Sequence, residues 1–151
     1  MEKLNFPKTP GKHAFEPLYD ASLMLKSART LAQARNYKKA VFIYSNHLLS
    51  CFRDAYTLKS SKPLRDITNP NGIYEFGRDR KLLAYMGIGA PLTSVVAEEL
   101  ISVGINEIVI MGTAGGLDPS FRIGDMVLCT KALRDEGVSH HYLANSRYVE
   151  P

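Results

Sequence analysis

Residues 82–116 constrain the chain most. An apolar run at 82–86 stops at Gly87 and Gly89. A helical pattern over 91–103 is closed by Gly104. A second apolar run at 108–111 stops at Gly112, Thr113, Ala114, Gly115 and Gly116. Strand, glycine turn, helix, strand, glycine turn is the pattern of a βαβ unit. The connection is long enough for a crossover helix, which predicts two parallel, neighbouring strands joined in the right-handed sense. Both glycine turns then leave the sheet at the carboxyl ends of their strands, the edge where open parallel sheets bind ligands. Glycine permits positive φ and close backbone approach, and successive N–H groups in such turns form an anion-binding nest. The helix that starts near Pro91 aims its positive end at the same edge. The stretch therefore predicts a concave anion site with one hydroxyl, that of Thr113. Glycine-ended strands also arise for packing alone, and both readings stay open at this point. There is no Gly-x-x-x-x-Gly-Lys-Ser/Thr loop, and Leu92 stands where a dinucleotide fingerprint needs its third glycine.

A length of 151 residues predicts one domain, and 45% hydrophobic with 23% charged residues is ordinary globular composition. The net charge of +4 suits an anionic small ligand and is too weak to argue for nucleic acid. No apolar run reaches the roughly 20 residues of a membrane-spanning helix. The N-terminus lacks the apolar core of a signal peptide. The expectation is a cytoplasmic protein without a membrane partner. Cys51 and Cys129 sit far apart in apolar surroundings and read as reduced, buried residues. Neither has metal-ligand spacing, so no metal site is expected.

The remaining chain reads in order. Residues 1–19, with Pro7, Pro10, Gly11 and Pro17, form an extended arm. Asp20 is a suitable N-cap for a helix over 21–35. That helix would turn Leu23, Met24, Ser27, Ala28, Leu31 and Ala34 inward and Lys26, Arg29 and Arg35 outward. Residues 40–44 are continuously apolar, the pattern of a buried parallel strand. Ser45, Asn46 and His47 follow at its carboxyl end, a third strand end reaching the ligand edge. A helix over 47–56 comes next, and His47 reads equally as a ligand contact or a cap of the turn. Residues 57–72 form a loop, 73–76 an edge strand, and 77–81 a charged turn. Residues 117–124 form a loop and 125–130 a further strand. Arg134, Asp135 and Glu136 read as surface residues. His140 and His141, if extended, point to opposite sides and are poor partners for one metal ion.

These residues together carry a resemblance. Gly-Ile-Gly-Ala-Pro-Leu-Thr-Ser (87–94), Val-Ile-Met-Gly-Thr-Ala-Gly-Gly-Leu (109–117), Ile-Gly-Asp-Met-Val (123–127) and Arg-Asp-Glu-Gly-Val-Ser-His-His-Tyr-Leu (134–143) occur in that order. The set resembles the nucleoside phosphorylase superfamily of the purine nucleoside and uridine phosphorylase type, over roughly residues 40–143. The resemblance implies a three-layer α/β/α sandwich around a mixed, partly barrel-like sheet, here its N-terminal portion. Residues 1–19 would be an arm and 20–151 the first part of a single domain. It implies phosphorolysis of a nucleoside to free base and ribose 1-phosphate, with inorganic phosphate as co-substrate and no cofactor. It further implies a cytoplasmic homo-oligomer in the full-length form, with site residues donated across the interface.

Carried over by position, Thr113, Gly87, Gly89 and Ser45 fall at phosphate-binding places, and Gly112, Ala114 and Gly115 at nucleoside-binding places. Two departures accompany them. The family's first phosphate turn carries a glycine and an arginine where Ser45 and Leu49 stand. A second phosphate arginine is replaced by Ile110. Candidates to replace the lost guanidinium groups are Arg53, Arg78, Arg80, Arg134 and His47. The general acid and a ribose-binding acidic segment are expected in a C-terminal half that this sequence does not include. The alternatives are a non-catalytic nucleoside- or nucleotide-binding module and a phosphate-independent nucleosidase.

Overall fold

Residues 9, 11–18, 20–25, 37–61, 64, 67–68, 72–144 and 146–151 are described in a computed structural model. Its elements are α1 (Ala21–Met24), β1 (Lys39–Ile43), α2 (Asn46–Ala55), β2 (Lys59–Ser60), β3 (Ile73–Phe76), β4 (Lys81–Tyr85), α3 (Ala90–Ser102), β5 (Glu107–Met111), β6 (Ala132–Leu133) and β7 (Tyr148–Val149). Single 3-10 turns occupy Lys12–Ala14 and Ser139–His141. The chain divides into two compact units, Leu18–Thr113 and Met1–Pro17 with Ala114–Pro151.

The first unit is built on a mixed five-stranded sheet of order β2-β3-β4-β1-β5. β4, β1 and β5 run parallel, and β3 and β2 join antiparallel. The two strands of the predicted βαβ unit are parallel, but they are not neighbours. β1 lies between them, with Ile43 level with both Tyr85 and Met111. The reason is that Phe42 and Ile43, on opposite faces of β1, are both fully buried. A strand apolar on both faces belongs at the centre of a parallel sheet, where both faces are covered. The sheet is open, not closed into a barrel.

Strand alternation then sorts the side chains into two cores. On one face Ala40, Phe42, Leu82 and Ala84 pack with Leu25, which follows α1, and with Val96, Leu100 and Val103 of the α3 region. On the other, Val41, Ile43, Leu83 and Tyr85 pack with Leu48, Leu49 and Phe52 of α2. Helices thus cover both faces, giving the expected three layers. Glu99 of α3 is buried, and its carboxylate accepts from the Thr68 N–H at 2.7 Å and the Thr68 hydroxyl at 2.8 Å, which ties Thr68 to the helix. Ahead of β1, the Tyr37 hydroxyl donates to Glu75 at 2.7 Å. Burial, with Glu75 beside it, raises that phenol above its ordinary value.

Several expectations are corrected. Asp20 caps α1 by accepting from the Leu23 N–H at 3.0 Å, but Leu23, expected inside, is exposed, and Leu25 is buried in its place. The rest of the predicted 21–35 helix, from 26 onward, lies outside the described residues, as do residues 1–8 of the arm. Within the arm, Lys12–Ala14 forms a 3-10 turn. The loop over 57–72 contains β2, which makes β3 an interior strand. No strand forms over 125–130. Every residue from 109 to 133 is exposed and no strand pairs with 125–130, so this apolar run buries neither face and gains nothing from extending. Cys51 and Cys129 are exposed, not buried. Among the described residues, no helix is long and apolar enough to cross a membrane.

Phe42 is the strongest test of this core. Phe42→Ala is expected to destabilise the protein by about 3–5 kcal/mol, the range for emptying a fully buried aromatic site. Equilibrium urea unfolding would measure it.

Candidate functional site

Three strands end level with one another. Tyr85, Ile43 and Met111 are register partners across β4, β1 and β5. Strands in a sheet lie about 4.8 Å apart, so the turns that follow leave one edge within about 10 Å of one another. Those turns carry Gly87 and Gly89, Ser45, and Gly112 and Thr113. The edge therefore gathers the predicted phosphate-site residues and Gly112 within one unit. Ala114 and Gly115 are exposed and open the second unit.

Each turn is held by its own chemistry. Ser45 caps α2, its hydroxyl accepting from the Leu48 N–H at 3.2 Å. The Met86 N–H donates to the Ile43 carbonyl at 2.8 Å, extending the ladder past the strand end. Gly89 caps α3 with φ 122° and ψ 141°, a region open almost only to glycine, and makes no side-chain cap hydrogen bond. The first N–H groups of α3 have no carbonyl partner inside the helix, and the dipole adds to their positive potential. The arrangement can hold an oxyanion on backbone donors.

Two tyrosines that the sequence reading left without a role join the turns. The Thr93 hydroxyl donates to the Gly89 carbonyl at 3.1 Å. Its single proton is spent there, so the 3.0 Å contact with Tyr44 has the tyrosine donating. Tyr44 thereby ties the end of β1 to the start of α3. Tyr85 donates to Asn46 Oδ1 at 2.8 Å, tying the end of β4 to the start of α2. The available signal was a tyrosine closing an apolar strand next to a hydroxyl-bearing first helical turn.

The basic candidates separate by position. Arg78 and Arg80 lie in the turn between β3 and β4, at the amino end of β4 and so at the opposite edge. Arg53 is in the last turn of α2, about 10 Å along the helix from its start. Arg134, expected at the surface, is buried in the second unit. Its five N–H donors meet the Ser139 and Ser146 hydroxyls, the Ala144 and Leu143 carbonyls and His140 Nδ1, all at 2.6–3.3 Å. This guanidinium is wholly occupied in shaping its own loop. His47 alone of these candidates stands at the ligand edge, exposed in the first turn of α2.

In the same loop Glu136 accepts from the Val138 and Ser139 N–H groups. Hydrogen bonds from the Ser139 side chain first, then from the backbone, hold its carboxyl below the ordinary 4.5. His140, buried in the 3-10 turn, receives Arg134 on Nδ1, which fixes the proton of the neutral ring on Nε2. Among the described residues, no group of three or more His, Cys, Asp or Glu is placed to hold a metal ion.

This edge, with its glycine turns, is that of an α/β protein, and comparison with known proteins adds the family. The sequence model of the phosphorylase superfamily matches residues 65–151, more than half of the chain, and the chain belongs to that superfamily. The match begins after β1 and α2, later than the residue 40 expected from the motifs. A uridine phosphorylase of Haemophilus influenzae is 40% identical over 57 residues, 38% of this chain and 23% of that protein. A uridine phosphorylase of Treponema pallidum is 43% identical over 56 residues, 37% of this chain and 22% of that protein. A guanosine phosphorylase of Halorubrum lacusprofundi is 41% identical over 56 residues, 37% of this chain and 23% of that protein. The matched stretch thus spans less than a quarter of each relative. No solved structure matches the chain significantly.

Two outcomes are expected. Gly89→Ala should cost about 1–3 kcal/mol, because alanine is strained at this φ and ψ, and thermal unfolding would show it. Glu136 contributes stability that is present above its ordinary carboxylate range and lost as pH falls through the lowered folded value. The Val138 and Ser139 amides should therefore lose exchange protection below about pH 4 before the sheet amides do, as hydrogen exchange would report.

Proposed function

We propose that this chain carries the phosphate and nucleoside turns of a nucleoside phosphorylase, which transfers the ribosyl group of a nucleoside to inorganic phosphate and releases the base. The observation that carries the reading is the glycine turn after β5. At Gly112 an added Cβ would meet nothing within 4 Å, and its φ lies outside the left-handed region. Neither packing nor backbone conformation requires glycine there, so close approach of a ligand is the remaining physical reason. Membership of the superfamily and the printed activities of the relatives support the same reading.

In this reading phosphate sits on the Gly87 and Gly89 turn, the N-terminus of α3, Ser45 and the Thr113 hydroxyl. Gly112 faces the nucleoside. The chemistry asks chiefly for position: phosphate oxygen below C1′ while the C1′–N bond breaks and the base departs. Tyr44 and Tyr85 act by holding the turns in that geometry. The full protein is a homo-oligomer in the cytoplasm and uses no cofactor. The base is uracil or guanine by analogy with the relatives, and both nucleosides belong in the assay.

A second reading, a phosphate-independent nucleosidase, draws on the absence of arginine at positions 49 and 110. Release of base from uridine and from guanosine, with and without phosphate, separates the two. The phosphorylase reading requires release that depends on phosphate and yields ribose 1-phosphate. Equal release without phosphate supports the nucleosidase. Binding of nucleoside without any release supports a binding module. Thr113→Val should weaken phosphate about 10- to 100-fold, the worth of one hydrogen bond to a charged group, with nucleoside affinity little changed.

A further inference from the structure

We propose that His47 is the cationic contact of the strand-edge anion site, so that oxyanion affinity there follows protonation of its imidazole. The inference rests on the phosphate-site reading above and adds the group that stands in for the guanidinium contacts absent from positions 49 and 110.

The argument is one of charge placement. In the unit Leu18–Thr113, the described basic side chains are Lys38, Lys39, His47, Arg53, Lys59, Arg78, Arg80 and Lys81. Lys38 and Lys39 lie at the amino end of β1, and Lys81 starts β4. Lys59 pairs with Glu75, which pairs with Leu82 near the amino end of β4. Arg78 and Arg80 occupy the turn that leads into β4. Six of the eight therefore sit at the amino edge. The ion pairs formed there, Lys39 with Glu107 at 2.7 Å and Lys81 with Asp79 at 3.5 Å, belong to that edge as well. Arg53 ends α2, away from its start. His47 remains.

Its surroundings fit the role. His47 is exposed, one residue after Asn46, whose side chain is bonded to Tyr85 at the end of β4. It lies two residues after Ser45, the cap of a ten-residue helix. The Cys51 thiol lies 3.9 Å from Nε2 on the same helix, and the Tyr85 hydroxyl from β4 meets the preceding residue, Asn46. Arg53 and Asp54 lie in the last turn of α2, and the 86–89 turn carries no titratable side chain. Neither the first turn of α2 nor the 86–89 turn carries a carboxylate. Protonated imidazole donates a charge-assisted N–H to a tetrahedral oxyanion. The neutral ring keeps one N–H but loses the charge.

The test uses sulfate, a dianion throughout the range of histidine titration, so that any pH dependence of binding belongs to the protein. The full chain and its His47→Gln and His47→Arg variants are titrated by calorimetry at about pH 6 and about pH 8, either side of the usual histidine range. The position is exposed, and equal melting temperatures establish that all three proteins are folded. The wild type should bind sulfate roughly tenfold more weakly at the higher pH, one unit of log affinity for loss of a single charged contact. His47→Gln should be weak and flat with pH. His47→Arg should be flat and at least as tight as the wild type at the lower pH. His47→Gln with wild-type affinity and slope overturns the proposal and leaves the anion site standing. Wild-type binding that is equal at both pH values also overturns it. No sulfate binding by the wild type at either pH overturns both the proposal and the anion site.

Discussion

Everything in the larger unit depends on the placement of β1 between β4 and β5. Its two parallel ladders bring three strand ends level, and its side chains supply the centre of both cores. Phe42 on one face and Ile43 on the other are fully buried. The carbonyl of Ile43 accepts the first N–H beyond β4, that of Met86. Removing this strand would leave two glycine turns with nothing to set their spacing.

The same placement explains how the site is held in advance of any ligand. Tyr44 follows β1 and reaches α3, and Tyr85 ends β4 and reaches α2. Each bond crosses from one strand end to the other strand's helix, so the two helix starts are fixed relative to each other. An oxyanion bound on backbone donors needs such fixing, because amides that must reorganise on binding lose much of their electrostatic advantage. Among the described residues of this unit, basic side chains are held mainly at the other edge, where Lys39 meets Glu107 and Lys81 meets Asp79. Among the same described residues, the ligand edge is left with helix starts, hydroxyl groups and one imidazole.

Much of this was legible in the sequence because short-range patterns control it. The glycine boundaries marked β4, α3 and β5 to within one residue, and the apolar run at 40–44 marked β1. The Asp20 cap was also visible, since a cap is a contact over three residues. Other features were hidden because long-range partners decide them. The apolar run read as a strand at 125–130 forms none, since a strand exists only when a ladder receives it. Arg134 read as a surface charge, yet the loop that follows it turns carbonyls and hydroxyls onto all five of its donors. Cys51 read as buried because its neighbours in sequence are apolar, whereas α2 turns it to the outside.

By itself, the sequence determined that glycine-bounded parallel strands would end at one edge and that Thr113 and Ser45 would lie beside them. It also determined the family, through an ordered set of motifs. The physical reason is that glycine placement and apolar period act locally. Tertiary structure alone decided which strands are neighbours and which tyrosines tie the turns together. Each of those is set by pairing between residues some forty to seventy positions apart in sequence, as with Tyr85 and Asn46 or Ala40 and Ile108, and no local pattern encodes such pairing.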